Sequence, residues 1–149
     1  MNKRIAIFPG TFNPFTVGHS SIVERALPLF DGLVIAVGVN EDKMCDSSVQ
    51  ERLDTIAAYY ADEDKVKVVC YSTLTVDLAK EFEAGYIVRG VRSVQDFEYE
   101  RNLAEINRRL SGVETLLLYT LPEYAHISSS VVRELIKYGR DVSEMLPKK

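Results

Sequence analysis

The chain is 149 residues long, 46% hydrophobic and 27% charged, which suits one packed domain and excludes an intrinsically disordered chain. Its net charge of −4 argues against non-specific binding to nucleic acid, which needs a basic surface, but leaves room for a small anion held by a local cationic cluster. The two cysteines, Cys45 and Cys70, form neither a CxxC pair nor a metal-ligand spacing, and fit a reducing compartment.

Lys3 and Arg4 precede the apolar run Ile5-Ala6-Ile7-Phe8, which Pro9 ends. The run is too short for the apolar core of a signal peptide and predicts a first strand at 3–8. A helix-like stretch follows at 18–30, then a strand at 33–39 and a helix at 48–61. A third strand, 66–71, leads to a helix at 75–83, and a fourth, 86–89, to a helix at 93–110. In that last helix Phe97, Leu103, Ile106 and Leu110 fall near one face with charges opposite. A strand at 115–119 and a helix at 128–138 complete the pattern. The first, second and fifth strands are apolar nearly throughout, as strands buried on both faces of a parallel sheet are. The alternation predicts a single α/β domain over 1–149, with a five-stranded parallel sheet and helices on both faces. No stretch approaches the roughly 20 apolar residues of a membrane span. The expectation is a cytoplasmic protein with neither membrane nor nucleic acid as partner.

In open α/β sheets, ligands bind at the carboxyl ends of strands, near the point where strand order reverses. The stretch FPGTFNPFTVGH, residues 8–19, follows the first strand. Gly10 allows a sharp turn and a close approach of ligand to backbone, and Asn13-Pro14 is a turn-forming pair. Gly18 and His19 open the first helix, whose free N–H groups favour a phosphate. A histidine there can donate to a phosphate oxygen, and Thr11 and Thr16 add hydroxyls. The loop reads as a phosphate cradle, although a glycine-rich turn with His19 as a polar helix start would use the same residues. The dinucleotide fingerprint GxGxxG and the Walker GxxxxGK[ST] are both absent, which speaks against a Rossmann oxidoreductase.

GTFNPFTVGH resembles the first signature of the nucleotidyltransferase superfamily with the (H/T)xGH motif, here Thr16-Val17-Gly18-His19. ISSSVVRE, residues 127–134, resembles its ISSxxxR-type segment, and IVRGVRSVQDFEYE, residues 87–100, resembles a stretch specific to bacterial phosphopantetheine adenylyltransferases. The three occur in order and span most of the chain. The resemblance implies a Rossmann-like fold, Mg²⁺ and a homohexamer. It also implies transfer of the adenylyl group of ATP to 4′-phosphopantetheine, giving dephospho-coenzyme A and pyrophosphate in coenzyme A biosynthesis. The attacking phosphate is already an anion, so catalysis should rest on positioning and charge stabilisation. The sequence agrees, for no Ser-His-Asp or Cys-His set and no carboxylate cluster for a protein-built metal cage stands out.

Carried over position by position, the resemblance assigns His19, Lys43 and Arg92 to catalysis: His19 at the α-phosphate, Lys43 between both anions, Arg92 on the triphosphate. ATP would lie against Gly10, Thr11, Phe12, Gly18, His19, Gly90, Arg92, Tyr99, Glu100, Ser128, Ser129 and Ser130, with Tyr99 and Glu100 near adenine and ribose. The phosphopantetheine side would take Thr11, Lys43 and Arg89 for its phosphate, and Leu74, Thr75 and Asn107 along its arm. A serine at 128–130 is also a good helix cap whatever its function, and His126 is assigned to structure. The chain departs from the family at Asn13, where Asp is usual, so altered affinity is expected. It also carries Leu146-Pro147 without the further helix common in the family. Rival readings are a cytidylyltransferase, which typically shows an RTEGIST-like segment where this chain has AHISSSVV, and a nicotinate or nicotinamide mononucleotide adenylyltransferase, which is usually longer. A non-catalytic nucleotide sensor on the same fold is a rival of another class.

Overall fold

The computed structural model describes residues 3–40 and 47–148. Lys43 and Cys45 lie outside the described residues. Five strands form one parallel sheet: β1 (Ile5–Gly10), β2 (Gly32–Gly38), β3 (Val66–Tyr71), β4 (Tyr86–Val91) and β5 (Glu114–Tyr119). Five helices alternate with them: α1 (Val17–Ala26), α2 (Ser47–Tyr59), α3 (Thr75–Glu81), α4 (Val94–Ser111) and α5 (Ser129–Lys137). Ser93 caps the start of α4 and left-handed Gly112, at φ 78°, ends it. The predicted 18–30 helix is α1 plus a 3₁₀ turn at Leu27–Leu29, because Pro28 cannot continue an α-helical ladder.

Side chains alternate across each strand, and both faces are covered. Ala6, Phe8, Leu33, Ile35 and Val37 pack with Ile22, Val23 and Ala26 of α1 and Ile56 of α2. On the opposite face Ile7, Val34, Ala36 and Ile87 pack with Leu78 and Ala79 of α3. This is the five-stranded α/β architecture the alternation predicts.

Strand order is β3-β2-β1-β4-β5, so the winding reverses between β1 and β4. These two strands pair only at Ala6↔Tyr86 and Ile7↔Ile87, whereas β1 and β2 pair from Ile5↔Gly32 through Gly10↔Val37. Beyond Ile7 and Ile87 the central strands part, and a crevice opens at their carboxyl ends. Pro9 sits in β1 for that reason. Its carbonyl, on the same side of the strand as the N–H it lacks, faces Arg89 rather than a ladder partner.

Two expectations are corrected. β5 is not buried on both faces: it is an edge strand paired with β4 alone, its leucines are only half-buried, and Tyr119 is 79% exposed. The apolar stripe of α4 does not enter the core either. Phe97, Ile106 and Leu110 are exposed, and the one buried residue of the helix is Glu100. No helix among the described residues is long and apolar enough to cross a membrane.

Candidate active site

The crevice has two compartments. One, of about 900 Å³, runs between the ends of β1–β4 and α4 and is lined by Thr75, Tyr99, Leu103, Asn107 and Arg52, among others. The other, of about 350 Å³, lies over the start of α1 and α5, with Phe12, Gly18, His19, Gly90, Arg92 and Ser128–Ser130 in its wall. Pro9, Gly10, Thr11, Arg89, Glu100 and Arg133 line both, so the compartments join there. Two ligands whose reacting atoms must meet would meet at that seam.

The loop after β1 is built around Phe12. Its backbone is left-handed, φ 48°, and its ring is buried, a conformation that a bulky residue holds only under constraint. A Cβ on Gly10 would stand 2.8 Å from that ring, so glycine there admits Phe12 into the core. The loop carbonyls are tied from outside. Arg52 Nη1 donates to the Thr11 oxygen at 3.0 Å, Arg133 Nη1 to the Asn13 oxygen at 2.6 Å, and Ser129 Oγ to the Pro14 oxygen at 2.8 Å.

His19 is the third residue of α1, and it closes a capping box with Thr16. The Thr16 N–H donates to His19 Nδ1 at 2.9 Å, and the His19 N–H donates to Thr16 Oγ1 at 3.4 Å. With Nδ1 accepting, the proton of the neutral ring sits on Nε2. Phe15 stacks on the ring, centroids 5.4 Å apart, and Phe12 meets it edge-on at 4.9 Å. Burial first, then the charges of Arg89 and Arg92, lower the imidazole pKa from 6.5 to about 4. His19 is thus a neutral donor at physiological pH. His19 both begins the helix and lines the cavity.

Arg89 crosses the gap between the parted strands. Its Nε donates to Glu100 Oε1 at 2.9 Å and its Nη2 to Oε2 at 2.7 Å, while Nη1 donates to the Pro9 carbonyl at 2.5 Å. The Glu100 side chain is 7% exposed, so this is a desolvated, bidentate pair. Three of the five guanidinium N–H hydrogens of Arg89 are engaged, which leaves one on Nη1 and one on Nη2 for an incoming anion. Arg92 is more open. Asp96 accepts from its backbone N–H at 3.1 Å and pairs with its Nε at 3.4 Å.

At the start of α5, Ser128 Oγ accepts from the Val131 N–H. The Ser129 and Ser130 N–H groups are left without an intrahelical partner, next to the cavity wall. The Ser129 hydroxyl hydrogen goes to Pro14, and Ser130 Oγ accepts from Arg133 Nη2 at 3.3 Å. Backbone donors, more than hydroxyls, are what this helix offers an anion.

Of the residues singled out from sequence, the smaller compartment gathers Gly10, Thr11, Phe12, Gly18, His19, Arg89, Gly90, Arg92, Glu100 and the three serines. The larger one adds Thr75, Asn107 and Tyr99. Tyr99, expected near adenine, lines the larger compartment and not the smaller. Leu74 lines neither; it precedes α3 with its side chain 61% exposed. Three charged residues in the walls carry no assignment from the sequence: Arg133, Asp96 and Arg52. The first two lie inside the quoted motifs ISSSVVRE and VQDFEYE, whereas nothing in the sequence around Arg52 marks it.

The arrangement matches a known family. Residues 7–135 fit the model of the cytidylyltransferase-like family. The phosphopantetheine adenylyltransferase of Porphyromonas gingivalis is 54% identical over 99% of this chain and 96% of its own, and that of Bacteroides fragilis is 50% identical over 97% of each. The chain belongs to the phosphopantetheine adenylyltransferase family. The fold agrees at greater distance: a solved Vibrio parahaemolyticus structure, provisionally assigned as a nicotinate-nucleotide adenylyltransferase, superposes with a TM-score of 0.67 at 21% identity, over 99% of this chain and 95% of that one. Phosphopantetheine adenylyltransferases are nucleotidyltransferase enzymes, which sets a non-catalytic sensor aside.

Proposed function

We propose that the chain transfers the adenylyl group of ATP to 4′-phosphopantetheine, with pyrophosphate as leaving group. The observation that carries this reading is the two-compartment crevice, joined at Arg89, in a chain with family membership over nearly its whole length. ATP takes the smaller compartment. The His19 Nε2–H donates to its α-phosphate, and Arg92, Arg133 and the N–H groups at the start of α5 meet the phosphates that follow. Phosphopantetheine takes the larger one, with its phosphate at the two remaining N–H hydrogens of Arg89 and beside Thr11, and its arm along Thr75, Leu103 and Asn107. Lys43 falls outside the described residues, and its role rests on the family motif.

Among the described residues no group of three or more His, Cys, Asp or Glu side chains could hold a metal ion. The two carboxylates lining the smaller compartment, Glu100 and Asp96, are paired with Arg89 and Arg92. Mg²⁺ is read as part of the substrate, entering as MgATP. The exposed apolar stripe of α4 and the open edge of β5 support a homo-oligomer, read as a hexamer, and the reading places the enzyme in the cytoplasm.

Titration calorimetry with 4′-phosphopantetheine tests the assignment. A charge-assisted hydrogen bond contributes about 1.5–3 kcal/mol, so Arg89→Ala should weaken binding roughly 10- to 200-fold. Removing Arg89 alone strands the buried Glu100 carboxylate. The Arg89→Ala/Glu100→Ala double variant should recover the lost stability but not the affinity. Wild-type affinity in either variant contradicts the placement.

A further inference from the structure

Arg52 sits in the second turn of α2, carries no recognised motif, and forms no ion pair among the described residues. Its Nη1 donates to the Thr11 carbonyl at 3.0 Å. That carbonyl shares a peptide plane with the Phe12 N–H. The plane is trans, since Asn13-Pro14 is the one cis bond among the described residues, so the Phe12 N–H points opposite to the Thr11 oxygen. Arg52 lines the larger compartment and the groove behind the loop, but not the smaller compartment. Phe12 lines the smaller one, beside His19. The Phe12 N–H makes no hydrogen bond within the described protein. Its residue is held at φ 48°, a backbone state that reverts to the ordinary region unless its neighbours over-determine it.

We infer that Arg52 is a positioning residue. By holding the Thr11 oxygen on the α2 side, it turns the Thr11–Phe12 peptide so that the Phe12 N–H becomes a second donor beside the His19 Nε2–H. The donor pair faces the cavity proposed here for the α-phosphate, so the inference rests on that reading. A preorganised pair of donors aimed at developing charge is worth most when neither must reorient during reaction. Arg52 serves from outside the cavity, and one hydrogen bond to a carbonyl suffices for the task.

The test compares Arg52→Ala and Arg52→Lys with the wild type in two measurements. In the first, the Phe12 amide resonance is followed on adding a non-hydrolysable ATP analogue with Mg²⁺, without acceptor. It should move downfield in the wild type and in Arg52→Lys, which retains a donor, and stay unmoved in Arg52→Ala. In the second, kcat of Arg52→Ala should fall on the order of 10- to 100-fold, less than direct removal of a donor costs. The KM for 4′-phosphopantetheine should change less than threefold, and Arg52→Lys should recover most of the rate. Several results overturn the inference: a Phe12 amide that responds equally in Arg52→Ala, one that ignores nucleotide in the wild type, or a loss confined to the KM for 4′-phosphopantetheine, which would make Arg52 a direct acceptor contact. A wild type that binds nucleotide with the Phe12 shift yet transfers no adenylyl group contradicts the proposed function and leaves the positioning role standing.

Discussion

Nδ1 of His19 accepts the Thr16 N–H and closes the first turn of α1, which leaves the proton of the neutral ring on Nε2. Removing the ring should therefore do two separable things. His19→Ala should cost about 1 kcal/mol of stability through the lost capping box, and should lower kcat by roughly 10²–10³ if a donor to the developing charge is gone. His19→Gln, whose amide can still cap, should keep the melting temperature and lose most of the rate; a near-normal kcat in that variant contradicts the catalytic role. The titration has its own signature. Because the folded pKa lies below the unfolded value, the unfolded chain takes the proton first as pH falls. Stability should drop between pH 6.5 and about 4 on this account and be independent of His19 above pH 6.5. NMR should find the imidazole midpoint near 4, with a His126→Ala variant assigning the other histidine, and a midpoint near 6.5 would contradict the buried neutral donor. Glu100 behaves differently again. Its buried carboxylate grips Arg89 along one edge, so Glu100→Gln should leave Arg89 less constrained and raise the KM for 4′-phosphopantetheine more than that for ATP, as steady-state kinetics would show.

The glycines of the loop and of α1 differ in what they make room for. A Cβ at Gly10 would collide with the Phe12 ring, whereas at Gly18 the nearest atom is Thr16 Oγ1 at 3.4 Å, an ordinary contact. The fold does not need glycine at 18, which borders the smaller compartment where the proposed nucleotide sits. Gly18→Ala should raise the melting temperature, since alanine favours a helix over glycine by about 0.5–1 kcal/mol, and should weaken MgATP binding by about tenfold or more as the methyl enters the anion's space. Calorimetry beside a thermal melt separates the two effects, and unchanged affinity would move the nucleotide elsewhere. Elements such as these were largely legible, because Ile5–Phe8 and Leu33–Val37 are apolar runs cut off by glycine or proline, and because GTFNPFTVGH concentrates turn formers where a strand meets a helix. What was not legible has a common cause. Apolarity in Leu116–Leu118 and in the α4 stripe reports burial somewhere, and cannot say whether the cover lies within the chain or outside it. Likewise the sequence cannot show that the Ser129 hydroxyl turns to Pro14, that Tyr99 faces the wider compartment, or that Arg52 reaches back across 41 residues to Thr11.

Over the whole molecule, a net charge of −4 coexists with a crevice into which Arg52, Arg89, Arg92 and Arg133 converge. Carboxylates partner two of these, while Arg52 and Arg133 hold loop carbonyls and keep their charge uncompensated among the described residues. An acidic surface with a cationic crevice favours small polyanions over nucleic acid. In the proposed homo-oligomer the exposed α4 stripe is the contact surface, so Phe97→Asp/Ile106→Asp should shift sedimentation toward the monomer, and an unchanged coefficient would place the interface elsewhere. Adenylyl transfer to the phosphate of phosphopantetheine is tested directly by pyrophosphate release from MgATP or MgCTP, with 4′-phosphopantetheine, nicotinamide mononucleotide and glycerol 3-phosphate offered in parallel. The expected result is release from MgATP with 4′-phosphopantetheine alone, one dephospho-coenzyme A per pyrophosphate. Equal or faster turnover of nicotinamide mononucleotide, or release that depends on CTP and glycerol 3-phosphate, would contradict it.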